Sequence, residues 1–211
     1  MLINEQALHQ FSTYMPQIDL SFHQYLLLAE EPLLVHTGNM KHAEDMIPEL
    51  EVALNGKDLK YIFISHFESD ECGGLSLILK RFPTAIPVCS QTTAQQLMGF
   101  GLISEAIVKK PGEKLETNDY ELEFISYPSE MHLWEGLLAI ENRRGIFFSS
   151  DLMMSFGKEM GTVKESNWQT KVNNIQQEQV PDVKRLEELK RTLLKLNPSF
   201  VATGHGPCLK V

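Results

Sequence analysis

His66-Phe67-Glu68-Ser69-Asp70 follows directly on Tyr61-Ile62-Phe63-Ile64-Ser65, and this junction decides how the chain is read. The apolar run is short and continuous, as in a fully buried strand. The polar stretch after it leads through Glu71 to Gly73-Gly74 and reads as a loop leaving the strand end. One imidazole followed by alternating carboxylates lets neighbouring side chains face two adjacent cations. Taken alone, the stretch is an acidic loop with one histidine.

Three further residues share its setting. His132 lies beyond the apolar run Leu122–Ile125, Asp151 follows Gly145–Ser149, and His205 follows Ser199–Ala202. Polar residues on loops at strand ends converge at one sheet edge while the strands stay apolar, which suits a rigidly supported metal site. His9, His23 and His42 have no such setting and read as structural or surface residues.

The remaining elements are mixed. Asn4 to Phe11 reads as a short helix or an irregular lead-in, and Phe22–Leu28 with Pro32–Val35 as a β-hairpin. Met40 to Leu54 has helical spacing and ends at Asn55-Gly56, with Pro48 expected to kink or interrupt it. Leu75 to Phe82 and Thr92 to Phe100 read as helices, with the strand Ile86–Cys89 between them. Leu137–Glu141 and Gly145–Ser149 flank the turn Asn142-Arg143-Arg144 as a hairpin. Residues Phe156 to Val180 read as a long loop or helical lid. Pro181 to Leu196 is an amphipathic helix with Leu186, Leu189, Leu193 and Leu194 on one face. Strands interleaved with helices and hairpins mean an α/β chain of the α+β type with mixed rather than purely parallel sheets.

The chain has 211 residues, 43% of them hydrophobic, and reads as a single domain, 1–211. A net charge of −9 without basic runs argues against nucleic acid and anionic membrane as partners. No apolar run approaches the roughly 20 residues of a membrane span, and no secretory signal is evident. Cys72, Cys89 and Cys208 follow no metal or disulfide spacing and read as small buried hydrophobes. A cytoplasmic location is expected.

The order His66-x-Glu68-x-Asp70, His132, Asp151, His205 resembles the metallo-β-lactamase superfamily, and more narrowly its flavodiiron and oxygen-binding di-iron subgroup. There, Glu stands where the hydrolases of the superfamily carry the middle His of H-x-H-x-D-H. The resemblance implies an αββα sandwich of two mixed sheets flanked by helices. It also implies His66, Glu68, His132 and Asp151 around one metal, and Asp70, Asp151 and His205 around the other. Oxygen-rich ligand sets favour iron or manganese over zinc, without excluding zinc.

Two positions depart from the pattern. Glu71 stands where many members carry a second histidine, and is left as a metal ligand, a water holder or a bystander. His36, in His36-Thr37-Gly38, stands where the family shows Asp, and is expected to support the ligands from behind. Phe67, Met131, Trp134, Met153, Met154 and Phe156 flank the ligand positions and are expected to wall an apolar pocket for a small neutral ligand.

The resemblance implies a binuclear iron protein that binds, senses or reduces dioxygen, nitric oxide or peroxide. The chain runs only six residues past His205, so no bound FMN is expected and reduction would draw on a separate redox partner. Family members pair head to tail so that a second subunit supplies the cofactor. A homodimer is carried over as an expectation, although that reason for pairing is missing here. The alternative activity is a hydrolase of thioesters, lactones or phosphoesters using a metal-activated hydroxide. A metal-free interaction domain is the third reading.

Overall fold

The computed structural model describes residues 2–4, 8–128 and 136–211. His132, Met131 and Trp134 lie outside these residues. The first sheet orders seven strands by sequence: β1 (Leu2–Asn4), β2 (Leu8–Met15), β3 (Leu20–Leu27), β4 (Leu33–Val35), β5 (Tyr61–Phe63), β6 (Ile86–Cys89) and β7 (Ile107–Val108). Its first four strands pair antiparallel and its last four parallel. Four helices lie in the parallel half of the chain: α1 (Met40–Leu54), α2 (Ser69–Cys72), α3 (Leu75–Arg81) and α4 (Gln91–Gly99).

The second sheet contains β8 (Lys114–Glu116), β9 (Glu121–Tyr127), β10 (Gly136–Glu141), β11 (Ile146–Ser150), β12 (Val163–Glu165), β13 (Phe200–Thr203) and β14 (Cys208–Lys210). Its spatial order is β12-β14-β13-β11-β10-β9-β8. Two helices, α5 (Trp168–Asn173) and α6 (Val183–Leu193), belong to this half.

Alternation of side chains along the strands explains the layering. Leu27, Val35 and Phe63 face the second sheet's Phe124, Ala139 and Phe148 in a central core. Their neighbours Leu26, Leu34 and Ile62 turn the other way, onto Met46 and Leu50 of α1, Ile78 of α3 and Leu97 of α4. Across the molecule Leu138, Phe147 and Val201 meet Trp168, Leu186 and Leu189 of α5 and α6. Strands covered on both faces read as unbroken apolar runs, and the result is the expected αββα sandwich of two mixed sheets.

Several expectations are corrected. Residues 8–11, expected as a helix or lead-in, are the first half of β2, which eight residue pairs tie to β3. Helix α1 runs unbroken through Pro48, which sits on the exposed face, where the carbonyl left without its amide partner can be hydrated. Within the stretch Phe156 to Val180, β12 pairs with β14 at the sheet edge, and Trp168 of α5 donates its indole N–H to the Leu193 carbonyl. Leu194 is 42% exposed and leaves the buried stripe of α6. Cys72, Cys89 and Cys208 are buried, as expected. No helix among the described residues is long and apolar enough to cross a membrane.

The loop after β5 is held against α1 at a glycine. A Cβ on Gly74 would lie 2.3 Å from the Ala43 Cβ and 3.0 Å from the Asn39 carbonyl oxygen. Overpacking of this kind costs about 1–3 kcal/mol. Gly74→Ala is therefore expected to lower the thermal midpoint and weaken metal uptake by the loop. An unchanged midpoint would contradict this close packing.

Candidate metal centre

Strands β4, β5, β11 and β13 end on the same side of the sandwich, and short cross-links close that end. The Ser65 and Ser150 hydroxyls meet at 2.9 Å. The Leu137 amide donates to the Ser65 carbonyl at 2.8 Å, and the His23 amide to the Gly204 carbonyl at 3.0 Å. Each of these contacts joins one sheet's chain to the other's.

His66 leaves β5 fully buried, its Nδ1 2.9 Å from Ser65 Oγ. In the tautomer with a lone pair on Nε2, Nδ1–H donates to Ser65 and sets the ring plane. Nε2 lies 3.0 Å from Glu68 Oε2, 3.3 Å from Asp151 Oδ2 and 3.9 Å from Glu71 Oε2. His205 is built in the same way. Its Nδ1 is 3.1 Å from the Ser21 carbonyl oxygen, and Nε2 is 3.3 Å from both Asp70 Oδ2 and Asp151 Oδ1. Asp151 thus turns one oxygen to each histidine.

Local backbone distortion aims Asp151. The pairing of β11 with β13 shifts register between Phe148 and Ser150, and Ser150 has a left-handed φ of 48°. Such a bulge redirects the following side chain. Gly204 accommodates it, since a Cβ there would lie 2.8 Å from the Ser150 carbonyl oxygen.

His66, Glu68 and Asp151 therefore come together on one side, and Asp70, Asp151 and His205 on the other. Glu71 belongs with both: the groups His66–Glu71–Asp151 and Asp70–Glu71–His205 each keep their nearest donor atoms within 4.8 Å of one another. His36 is buried at the end of β4 with φ 63°, its ring stacked on Phe63 at 6.3 Å. It lines the narrow space between the sheets with Ser65, Ser150 and Gly204. Burial, aided by the charge of His66, lowers its pKa to about 3, so it is neutral.

Of the six residues expected to form one apolar wall, Met131 and Trp134 lie outside the described residues, and the other four divide among three places. Phe67 stacks on Phe100 at 5.1 Å against the helical core of the first sheet. Met153 and Met154 line a cavity of about 370 Å³ beside α5, and Phe156 is 68% exposed.

Residues without a local sequence signal complete the surroundings. Tyr127 donates its hydroxyl to Asp151 Oδ2 at 3.2 Å and sets its ring edge-on to His66 at 5.5 Å. Phe22 stands edge-on to His205 at 4.9 Å. His23 is structural: its ring joins Ser12 Oγ and the Gly206 carbonyl, each at 2.8 Å, which steadies the His205 turn. His42 is buried against Phe22 rather than placed at the surface.

Charge explains what this cluster accepts. Burial raises the pKa of Asp70, but the hydrogen bond and charge of His205 outweigh it and bring it to about 2. Asp151 is also lowered, burial being outweighed by His205 and His66. His205 loses to burial yet rises to about 10 between the two carboxylates. Glu71 is pushed well above the usual range by burial and by Asp151 and Asp70. Its Oε2 is buried with no hydrogen-bond partner among the described residues. An unpaired buried acceptor among several carboxylates fits a pair of hard cations, which take oxygen donors in preference to sulfur.

The arrangement is that of the metallo-β-lactamase class: a four-layer sandwich with imidazoles and carboxylates at its strand ends. The model of the ODP family beta lactamase matches residues 20–206, and the chain belongs to that family. The chain is 25% identical over 134 residues to an anaerobic nitric oxide reductase flavorubredoxin of Aliivibrio salmonicida, covering 62% of this chain and 27% of that protein. In fold it is similar to a flavo di-iron protein variant from Thermotoga maritima, with a TM-score of 0.81, 19% identity, and 99% of this chain and 57% of that one covered. The flavodiiron protein from Giardia intestinalis gives a TM-score of 0.78 at 14% identity, covering 97% and 54%. The chain thus spans about a quarter of that curated relative and little more than half of these structures.

Protonation opposes metal binding here. His205 holds a proton near neutrality in the metal-free protein, Glu71 gives up its proton less readily than a free carboxylate, and a cation competes with both. Metal affinity is therefore expected to rise with pH, with proton release on binding. For the metal-free fold the sign reverses. The raised His205 pKa stabilises it fully below about 6.5 and is lost towards about 10, while the raised Glu71 pKa costs stability above 4.5. Thermal melts from about pH 7 to about pH 9, above the range in which the buried neutral imidazoles His23 and His36 take up protons on unfolding, should show a falling midpoint without metal. A rising midpoint would contradict these assignments.

Proposed function

We propose that this chain, acting as one domain, is a binuclear non-haem iron protein that binds, senses or reduces dioxygen, nitric oxide or peroxide. The observation that carries the reading is Asp151, whose two oxygens each lie 3.3 Å from a different histidine within a carboxylate-rich cluster. Its relatives, a nitric oxide reductase and flavo di-iron proteins, support the same class. His66, Glu68 and Asp151, with His132, hold one ion, and Asp70, Asp151 and His205 hold the other. Reduction, where it occurs, takes electrons from a separate donor.

Iron, when bound, supplies Lewis acidity and electrons for the small ligand. The chain's own residues prepare the place. Ser65 and the Ser21 carbonyl orient the two imidazoles. Tyr127 donates to Asp151 and withdraws charge from that carboxylate. His66 and Glu71 are sealed, whereas the side chains of Glu68 and Asp151 are 38% and 26% exposed, so a ligand approaches from their side.

Metal analysis of protein purified without oxygen tests this reading. About two irons per chain, with a new visible absorption band on exposure to air, is the expected result. Two zincs, no optical change and turnover of a generic ester would replace it with the hydrolase reading. Glu68→His exchanges a carboxylate for an imidazole and should shift occupancy from iron towards zinc. Equal iron-to-zinc ratios in variant and parent would show that Glu68 does not select the metal.

A further inference from the structure

Glu71 has no place in the six-residue ligand set, yet it is the most deeply buried carboxylate of the cluster. It is 2% exposed, whereas the side chains of Glu68, Asp70 and Asp151 are 38%, 17% and 26% exposed. Two observations indicate what it does. It belongs to both groups of donor atoms found among the described residues, with His66 and Asp151 in one and with Asp70 and His205 in the other. Its Oε2 is buried without a hydrogen-bond partner among the described residues, 3.9 Å from His66 Nε2. A buried oxygen left without a partner is costly, and a cation at this point would remove that cost.

The backbone holds the residue in this position. The Thr37 amide donates to the Glu71 carbonyl at 2.8 Å and the Thr37 hydroxyl at 3.2 Å, tying α2 to the turn after β4. The neighbouring Cys72 amide bonds back to the Glu68 carbonyl at 3.0 Å. Glu71 is thus fixed in the floor of the cluster between the two histidines.

We infer that Glu71 is a further metal ligand shared by the two sites, a second common carboxylate beside Asp151. The inference rests on the binuclear reading above and deepens it. With Glu71 the described cluster offers four carboxylates, Glu68, Asp70, Glu71 and Asp151, which balance the charge of two divalent cations. With a neutral residue at position 71 the same cations leave one positive charge uncompensated. Glu71 therefore strengthens the hold on hard divalent cations and favours the more oxidised state of a redox-active pair.

Glu71→Gln keeps the shape and removes the charge. Titration of metal-free parent and variant with ferrous iron, and separately with zinc, reads stoichiometry and affinity. The parent is expected to take two ions. The variant is expected to lose at least about tenfold in affinity for one or both ions, while its metal-free thermal midpoint stays level or rises. The iron-loaded variant should also show a higher reduction midpoint. Should the glutamine variant fail to fold, Glu71→Met, uncharged and of similar length, carries the same test. Two ions bound by a folded variant with the parent's affinity would overturn the inference and make Glu71 a buried bystander. A parent that binds neither ion would overturn the binuclear reading itself.

Discussion

Mutual repulsion among buried carboxylates is the constraint on which the site depends. Donor atoms of Asp70, Glu71, Asp151, His66 and His205 gather in two overlapping groups no wider than 4.8 Å. At that separation a pair of like charges costs on the order of 3 kcal/mol at an effective dielectric of about 20. The metal-free protein relieves the repulsion by keeping His205 charged between Asp70 and Asp151 and by raising the pKa of the buried Glu71. Cations relieve it in another way, by replacing protons. The cluster exists in this form only because the surrounding fold holds it against its own charge.

That support comes from the sandwich. Strands apolar on both faces bury three cores, and these cores place the ends of β5, β11 and β13 together. The hydroxyl pair Ser65–Ser150 and the backbone bonds from Leu137 and His23 join the sheets at that edge. Left-handed conformations at His36 and Ser150 are concentrated at the same place. Non-glycine residues persist there only where the surrounding packing over-determines them. The geometry of the site is thus bought with packing elsewhere.

The match to the ODP family and the likeness in fold to flavodiiron proteins agree with this physical picture. Glu71 and His36 are where this chain departs from the pattern those resemblances imply, and both are buried beside the site. His36 is a neutral imidazole stacked on Phe63. Glu71 is an acid whose Oε2 has no hydrogen-bond partner among the described residues. Neither property is visible from residue type alone, since both depend on what surrounds the side chain.

The junction of Tyr61–Ser65 with His66–Asp70 was legible as a buried strand running into an acidic, imidazole-bearing loop, because apolar continuity and polar punctuation are local properties. So were the hairpin β10–β11, the amphipathic face of α6 and the placement of Asp151 and His205 after strands. Residues 8–11 were misread because a strand on the outer part of a sheet carries no clean period, and its conformation comes from pairing with β3. Tyr127, Ser21 and Phe22 were missed because they serve the site across large sequence distances. By itself the sequence determined the kinds of donor and the strand ends that carry them. Tertiary structure decided which oxygen faces which histidine, that Asp151 lies between the two, and that Glu71 is buried in the floor of the cluster, because these follow from packing between distant segments.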